Sequence, residues 1–208
     1  MQFQKATKEQ AKLRLALMGV SGSGKTYSAL SIASGLGNKV ALIDTERGSA
    51  SKYADIFDFD VLNLDNYGPE NFIQAINAAA QAGYEVLIID SLSHAWTGIL
   101  EIVDKRAAAD PRSNSFAQWR YATPKHNQLV DTILKAPVHI IATIRTKTEW
   151  VVERDERTGK QVPKKIGTAP VQRDGIEYEF DMVGDLNIDH QLVVSKSRIP
   201  GFQDDIVD

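Results

Sequence analysis

A chain of 208 residues, 43% hydrophobic and 25% charged, is long enough for one well-packed domain and short for two, and it holds no apolar run near the length that spans a bilayer. Its formal charge of −3 argues against a dedicated duplex-DNA binder, and the lack of cysteine excludes disulfides and thiolate-based zinc sites. The polar start MQFQKATKEQAK lacks the apolar core of a leader, so residues 1–11 are expected to be a flexible lead-in to a single domain spanning 1–208, cytoplasmic and without a membrane partner.

In chain order, Leu13 to Val20 (LRLALMGV) is an apolar run of strand length. It enters Gly19, four residues, then Gly24, Lys25 and Thr26, the spacing of a phosphate-binding loop. Glycine lets main-chain N–H groups converge on an anion. The apolar residues Ala29, Leu30, Ile32, Ala33 and Leu36 then recur at helical spacing up to Gly37, so a helix N-terminus aims at the same point. Gly19, Ser21, Gly22, Ser23, Gly24, Lys25, Thr26 and Tyr27 are therefore expected to bind nucleotide, with Lys25 neutralising the β- and γ-phosphates.

A second apolar run, Lys39 to Glu46, ends in two acids, and a weaker third covers Phe59 to Leu64. Pro69 to Gly83 reads as a helix with proline in its first turn and glycine at its end. Val86 to Ile89 run straight into Asp90, and a helix is expected from His94 to about Ala109. Another helix covers SFAQWRYATPKHNQLVDTILKA, with Pro124 marking a bend or a start, before the buried strand Val138 to Thr143. Strands that are apolar throughout and alternate with helices predict an α/β fold: a mainly parallel central sheet flanked by helices on both faces. Glu177 to Arg198 reads as a C-terminal antiparallel hairpin turning near Asp189. Between them, residues 145–175 show no convincing periodicity and are expected to be a long loop, with eight basic residues against five acidic ones, a net of +3.

Ligands of open parallel sheets bind beyond the carboxyl ends of the strands, which makes acids there candidates. Asp90 suits a magnesium ligand acting through water, with the Thr26 hydroxyl binding the ion directly. Of Asp44 and Glu46, Glu46 is the expected group that orients water for hydrolysis. The histidines at 94, 126, 139 and 190 show no ligand spacing.

Together GVSGSGKT, LIDTE and VLIID followed by Ser91 resemble the core motifs of RecA-like P-loop ATPases, and the resemblance extends over about residues 12–200. It implies ATP and Mg2+ as cofactors and Glu46 as the catalytic glutamate. It also implies an adenine-stacking role for Tyr53, seven residues later, and a sensor position at Thr143, where the family often has glutamine. SKSRIPG is similar to the lysine, x, arginine element that reaches a neighbouring subunit's ATP site, which makes Lys196 and Arg198 candidate trans-acting cations in a homo-oligomer.

Within that superfamily, RTKTEW, GKQVPKKIGTAPVQRDGIEYEFD and the minimal length resemble small phage and prophage ATPases of single-strand annealing and recombination. That likeness implies single-stranded DNA as a partner, with recombination or replication proteins as further ones. The candidate DNA-binding loop 145–175 offers Arg145, Lys147, Trp150, Lys164 and Lys165, and residues around Ala107 to Asn114, with Arg106 and Arg112, are a candidate second loop. Two alternatives remain open from the residues: a small-molecule kinase using 145–175 as a lid, and a loader in which nucleotide gates assembly. No Asn-Lys-x-Asp is present to read guanine.

Overall fold

A computed structural model describes residues 5, 11–109, 115–154, 161–202 and 205–207, with the side chains of 115, 148–154 and 161–167 left aside. The Leu13 to Val20 run forms β1 (Arg14–Gly19), followed by α1 (Lys25–Leu36) and β2 (Val40–Asp44). A 3-10 turn (Ala50–Tyr53), β3 (Asp60–Asn63) and α2 (Pro69–Gln81) lead to β4 (Val86–Asp90), then α3 (Leu92–Ala109) and α4 (Ser115–Lys135). The chain finishes with β5 (His139–Arg154), β6 (Gln161–Pro170), a 3-10 turn (Ile176–Tyr178), β7 (Met182–Leu186), β8 (Leu192–Ser197) and β9 (Ile206–Val207).

The sheet order is β3-β2-β4-β5-β1-β7-β8-β9, parallel from β3 through β7 and antiparallel over β7, β8 and β9. Alternate residues of each central strand feed opposite cores, which is why these strands are apolar at every position. Leu15, Leu17, Val86 and Ile88 pack with Ala29, Leu30 and Ala33 of α1. Ala16, Met18, Leu87 and Ile89 pack on the other face with Phe72 and Ile76 of α2 and Leu129 and Ile133 of α4. The α/β architecture and its C-terminal antiparallel hairpin match expectation.

Two expectations are corrected. The helix expected from His94 begins at Leu92, just after the Asp90 strand; of the two alternatives for Pro124, a bend or a start, the start falls away, since Pro124 lies inside α4. More consequentially, the long loop expected over 145–175 is largely a β-hairpin. β5 keeps β1 company up to Arg145, then continues to Arg154 paired with β6, from Thr146↔Pro170 to Arg154↔Gln161. The hairpin escaped the sequence reading because strand alternation arises from one face meeting a core. TKTEWVVER and QVPKKIGTAP pair beyond the last β1 partner, and neither carries a regular apolar face.

Candidate nucleotide-binding site

β1 ends at Gly19 and α1 starts at Lys25, and the intervening loop closes with Ser23 N–H on the Val20 carbonyl at 3.3 Å. Gly22 and Gly24 take φ of 83° and 91°, the left-handed region that glycine enters without strain. At Gly19 the demand is steric: a Cβ there would lie 2.4 Å from Ser23 Oγ and 2.7 Å from the Leu186 carbonyl. The loop frames a cavity of about 1080 Å³ lined on the floor by Ser21, Gly22, Gly24, Lys25 and Thr26. Lys25 is buried, and its ammonium donates to the Val20 carbonyl at 2.7 Å. Burial lowers its pKa, Asp90 and Glu46 oppose that, and Arg145 reinforces it.

Asp90 ends β4 only 2% exposed. Its Oδ2 accepts the Thr26 hydroxyl at 2.6 Å and its Oδ1 accepts the hydroxyl of Thr143 on β5. Burial pushes this carboxyl above the usual carboxylate range, the two hydroxyls pull it back, and Glu46 and Asp44 push it further up. A cation would relieve that cost. Among the described residues no trio of His, Cys, Asp or Glu could cage a metal; an ion held by Thr26 and Asp90 would draw further oxygens from phosphate and water. That is how magnesium is usually bound. The loop, Lys25 and these oxygen donors thus fit a magnesium–nucleotide pair.

Glu46 lines the same cavity, and a buried acid that sequence reasoning passed over positions it. Asp44, 1% exposed, accepts the Glu46 N–H at 2.6 Å on Oδ1 and the Ala50 N–H at 3.1 Å on Oδ2, tying together the turn that carries Glu46. Its place at a strand end was the available signal. Arg145, expected on a DNA-binding loop, instead lines the nucleotide cavity and grips Glu46 Oε1 through Nε at 2.9 Å and through Nη2 at 2.7 Å. Its own N–H donates to Ser93 Oγ at 3.0 Å, which fixes β5 against the start of α3.

Thr45 and His94 were also missed. Thr45 Oγ1 accepts the Ser91 N–H at 2.7 Å and lies 2.6 Å from His94 Nδ1, while Tyr67 stacks on His94 at 4.6 Å and donates to the Thr45 carbonyl at 3.1 Å. The network joins the tips of β2 and β4, and a helical histidine in isolation gives no hint of it. Burial lowers the His94 pKa, Arg145 adds to this, and Glu46 opposes it.

Tyr27 and Tyr53 line one side of the cavity in an edge-to-face pair 5.9 Å apart, and Phe57 packs on Tyr27 at 5.3 Å. Leu186, His190, Leu192 and Val207 line the other. Gly19, Ser21 to Tyr27, Glu46, Tyr53, Asp90 and Thr143 are therefore gathered at one corner of the sheet. Lys196 and Arg198 are elsewhere. The Lys196 ammonium donates to the carbonyls of Glu177, Tyr178 and Phe180 at 2.8, 2.9 and 2.7 Å, and Arg198 donates to the Tyr178 carbonyl at 2.8 Å, with Asp181 3.6 Å away. Lys147 is exposed just past Arg145. Trp150 stands opposite Lys165, and Val151 opposite Lys164, in the β5–β6 register, and the side chains of these four lie outside the described residues, as does all of Arg112.

No helix among the described residues is long and apolar enough to cross a membrane. No curated protein matches the chain. A solved structure from Pyrococcus horikoshii OT3 aligns with 96% of this chain and 95% of its own at 12% identity, with a TM-score of 0.48, too slight a likeness to bear on function. Residues 11–202 match the family described as AAA domain, a span that takes in every element from β1 to β8 and the whole loop–carboxylate corner. The chain belongs to this AAA family of nucleotide-binding P-loop ATPases.

Proposed function

We propose that the protein is a magnesium-dependent, RecA-like ATPase that hydrolyses ATP to ADP and phosphate while bound to single-stranded DNA, in annealing or recombination of the phage type within a bacterial cytoplasm. The observation that carries the hydrolytic reading is the Asp90 carboxylate, held on one oxygen by Thr26 and on the other by Thr143 at the mouth of the phosphate loop. Bound magnesium would supply charge neutralisation at the phosphates. The chain's own part is to cradle the phosphates on loop N–H groups and Lys25, and to hold a water with Glu46 in line for attack. Arg145 keeps Glu46 oriented through its two contacts to Oε1.

The DNA reading is supported by the basic excess of 145–175 and by the register that brings Trp150 and Lys165 together on a two-stranded arm. Cations along phosphates and an aromatic face under a base are what single-strand binding requires. A homo-oligomer, with Lys196 and Arg198 acting toward a neighbour's nucleotide, is part of the same proposal. The test is ATP turnover with and without oligo-dT across a salt series. Stimulation is expected, falling steeply with salt. The triple variant Trp150→Ala, Lys164→Ala, Lys165→Ala should lose it, and equal stimulation of that variant would remove the arm from the reading. Turnover that ignores DNA and needs a small-molecule acceptor, which takes up the γ-phosphoryl as ADP is released, would instead point to the kinase alternative.

A further inference from the structure

A second cavity, about 380 Å³, lies between α3, α4 and the turn after β6, and shares no lining residue with the nucleotide cavity. Its walls are Trp96, Trp119, Thr123, Gln172, Arg173 and Asp174. The two indoles are stacked, centroids 5.6 Å apart and 27° from parallel, and both are only partly buried. They close the small cluster of Ile99, Val103 and Ala122, which explains one face of the pair and leaves the other toward the cavity. Gln172, 6% exposed, fixes the polar wall: its Nε2 donates to the Leu92 carbonyl at 3.1 Å and its Oε1 accepts the Arg173 N–H at 2.9 Å. The Arg173 guanidinium is steadied by Asn127 Oδ1 at 3.2 Å.

Further aromatic rings are exposed on α4. Phe116, one turn before Trp119 on α4, is 84% exposed. Tyr121 is exposed beneath two guanidiniums, Arg106 at 3.7 Å and Arg120 at 4.6 Å from its ring centroid. An aromatic ring exposed to that degree contributes little to the fold. Aromatic faces interleaved with arginines are the chemistry that holds single strands, through stacking on bases and charge on phosphates.

We infer that the Trp96–Trp119 cavity receives one unpaired base of single-stranded DNA, with the strand continuing over Phe116. The base stacks on the indole face, and Thr123, Gln172 and Asp174 border its polar edge. A phosphate meets Arg173. The volume is ample for a single base, and a base that stays paired and stacked inside a duplex cannot enter such a recess, so the cavity favours single strands. This rests on the single-stranded DNA reading above and adds a site that the hairpin residues do not include.

Anisotropy of a labelled oligo-dT of about 15 nucleotides, with ATP and magnesium present, tests it. Trp119→Leu should weaken binding about tenfold, Trp119→Phe should stay within about twofold of the unsubstituted protein, and an abasic strand should bind the unsubstituted protein about tenfold more weakly than oligo-dT does. Arg173→Ala should reduce the salt slope by about 0.7, the loss of one phosphate contact. Should Trp119→Leu not fold, tryptophan emission decides: in a Trp150→Phe protein, oligo-dT should quench the two remaining indoles and an abasic strand should not. Tight binding of oligo-dT by Trp119→Leu, or unchanged emission, would remove this cavity while leaving the DNA reading in place. Failure of the unsubstituted protein to bind oligo-dT would remove both.

Discussion

The strand β5 joins two unlike regions of one molecule. From His139 to Arg145 it lies in the parallel sheet, and Ile140 to Ile144 are all buried. From Thr146 to Arg154 its partner is β6, in an antiparallel arm. In the first half every residue answers to a core above and a core below, so a polar side chain there carries a cost that something must offset. Thr143 is the polar residue that breaks Ile140 to Ile144, and it spends its hydroxyl on Asp90. In the second half the sequence shows no regular apolar face, so charge there reports a solvated run as readily as function. A polar group inside the sheet is therefore a sharper functional signal than the basic residues beyond it.

That contrast breaks if substitutions in the sheet corner leave catalysis intact. Asp90→Ala and Lys25→Ala should each lower ATP turnover by at least about 10³-fold, since each removes charge that the triphosphate or its ion meets. Glu46→Gln should lower kcat by about 10²- to 10³-fold with KM changed only a few-fold. Asp44→Ala acts one step back. It releases the Glu46 and Ala50 N–H groups, and kcat should fall about 10-fold or more with KM held, because misplacing an orienting group by about 1 Å is costly. Asp44→Asn, which keeps one acceptor, should recover part of the loss. A fall in both variants traced to KM would show that Asp44 shapes binding instead.

The same contrast explains what could be read before any coordinates. The parallel sheet was legible because burial on both faces leaves apolar runs such as VLII before Asp90, and the phosphate loop because its glycines answer to φ and to the space beside Leu186. Glu46 was legible as a strand-end acid. The hairpin was not, for it has no regular apolar face to set a period. Arg145 is expected on a DNA-binding loop because the family resemblance puts the start of that loop there, whereas the fold brings it against Glu46, a partner 99 residues away. The Thr45–His94–Tyr67 network and the Trp96–Trp119 pair likewise depend on helix packing, which spacing along one element does not encode.

A cut through the arm sharpens the comparison from the other side. Replacing 149–167 by an Asn-Gly turn joins Thr148 to Thr168, a pair of the β5–β6 register. Basal ATP hydrolysis should stay within about threefold and the unfolding midpoint within a few degrees, because every described residue of the two cores lies in the retained body. Stimulation by oligo-dT should fall to the share supplied by the rest of the surface. A loss of basal turnover equal to that of Glu46→Gln would mean that the arm supports Arg145, and the separation drawn above would fail.

The smallest expected effect concerns acid stability. His94, His126 and His139 all have pKa values depressed below 6.5, burial being the first cause in each; Arg145 adds to it at His94, Arg173 at His126 and Lys12 at His139. Between those lowered values and 6.5 the unfolded chain binds protons that the folded chain refuses, so stability rises with pH through that window and is lost on acidification. Asp90 has the opposite sign: its raised pKa lets the folded state take up a proton before the unfolded one, in a lower window that opens above 3.8. The midpoint of thermal unfolding should accordingly drop by a few degrees from pH 7 to pH 5.5, and His126→Asn should flatten part of that slope. None of the three histidines lies in the arm. The protein trimmed at 149–167 should reproduce the slope of the full chain, and a different slope would show that the arm alters the surroundings of the buried histidines.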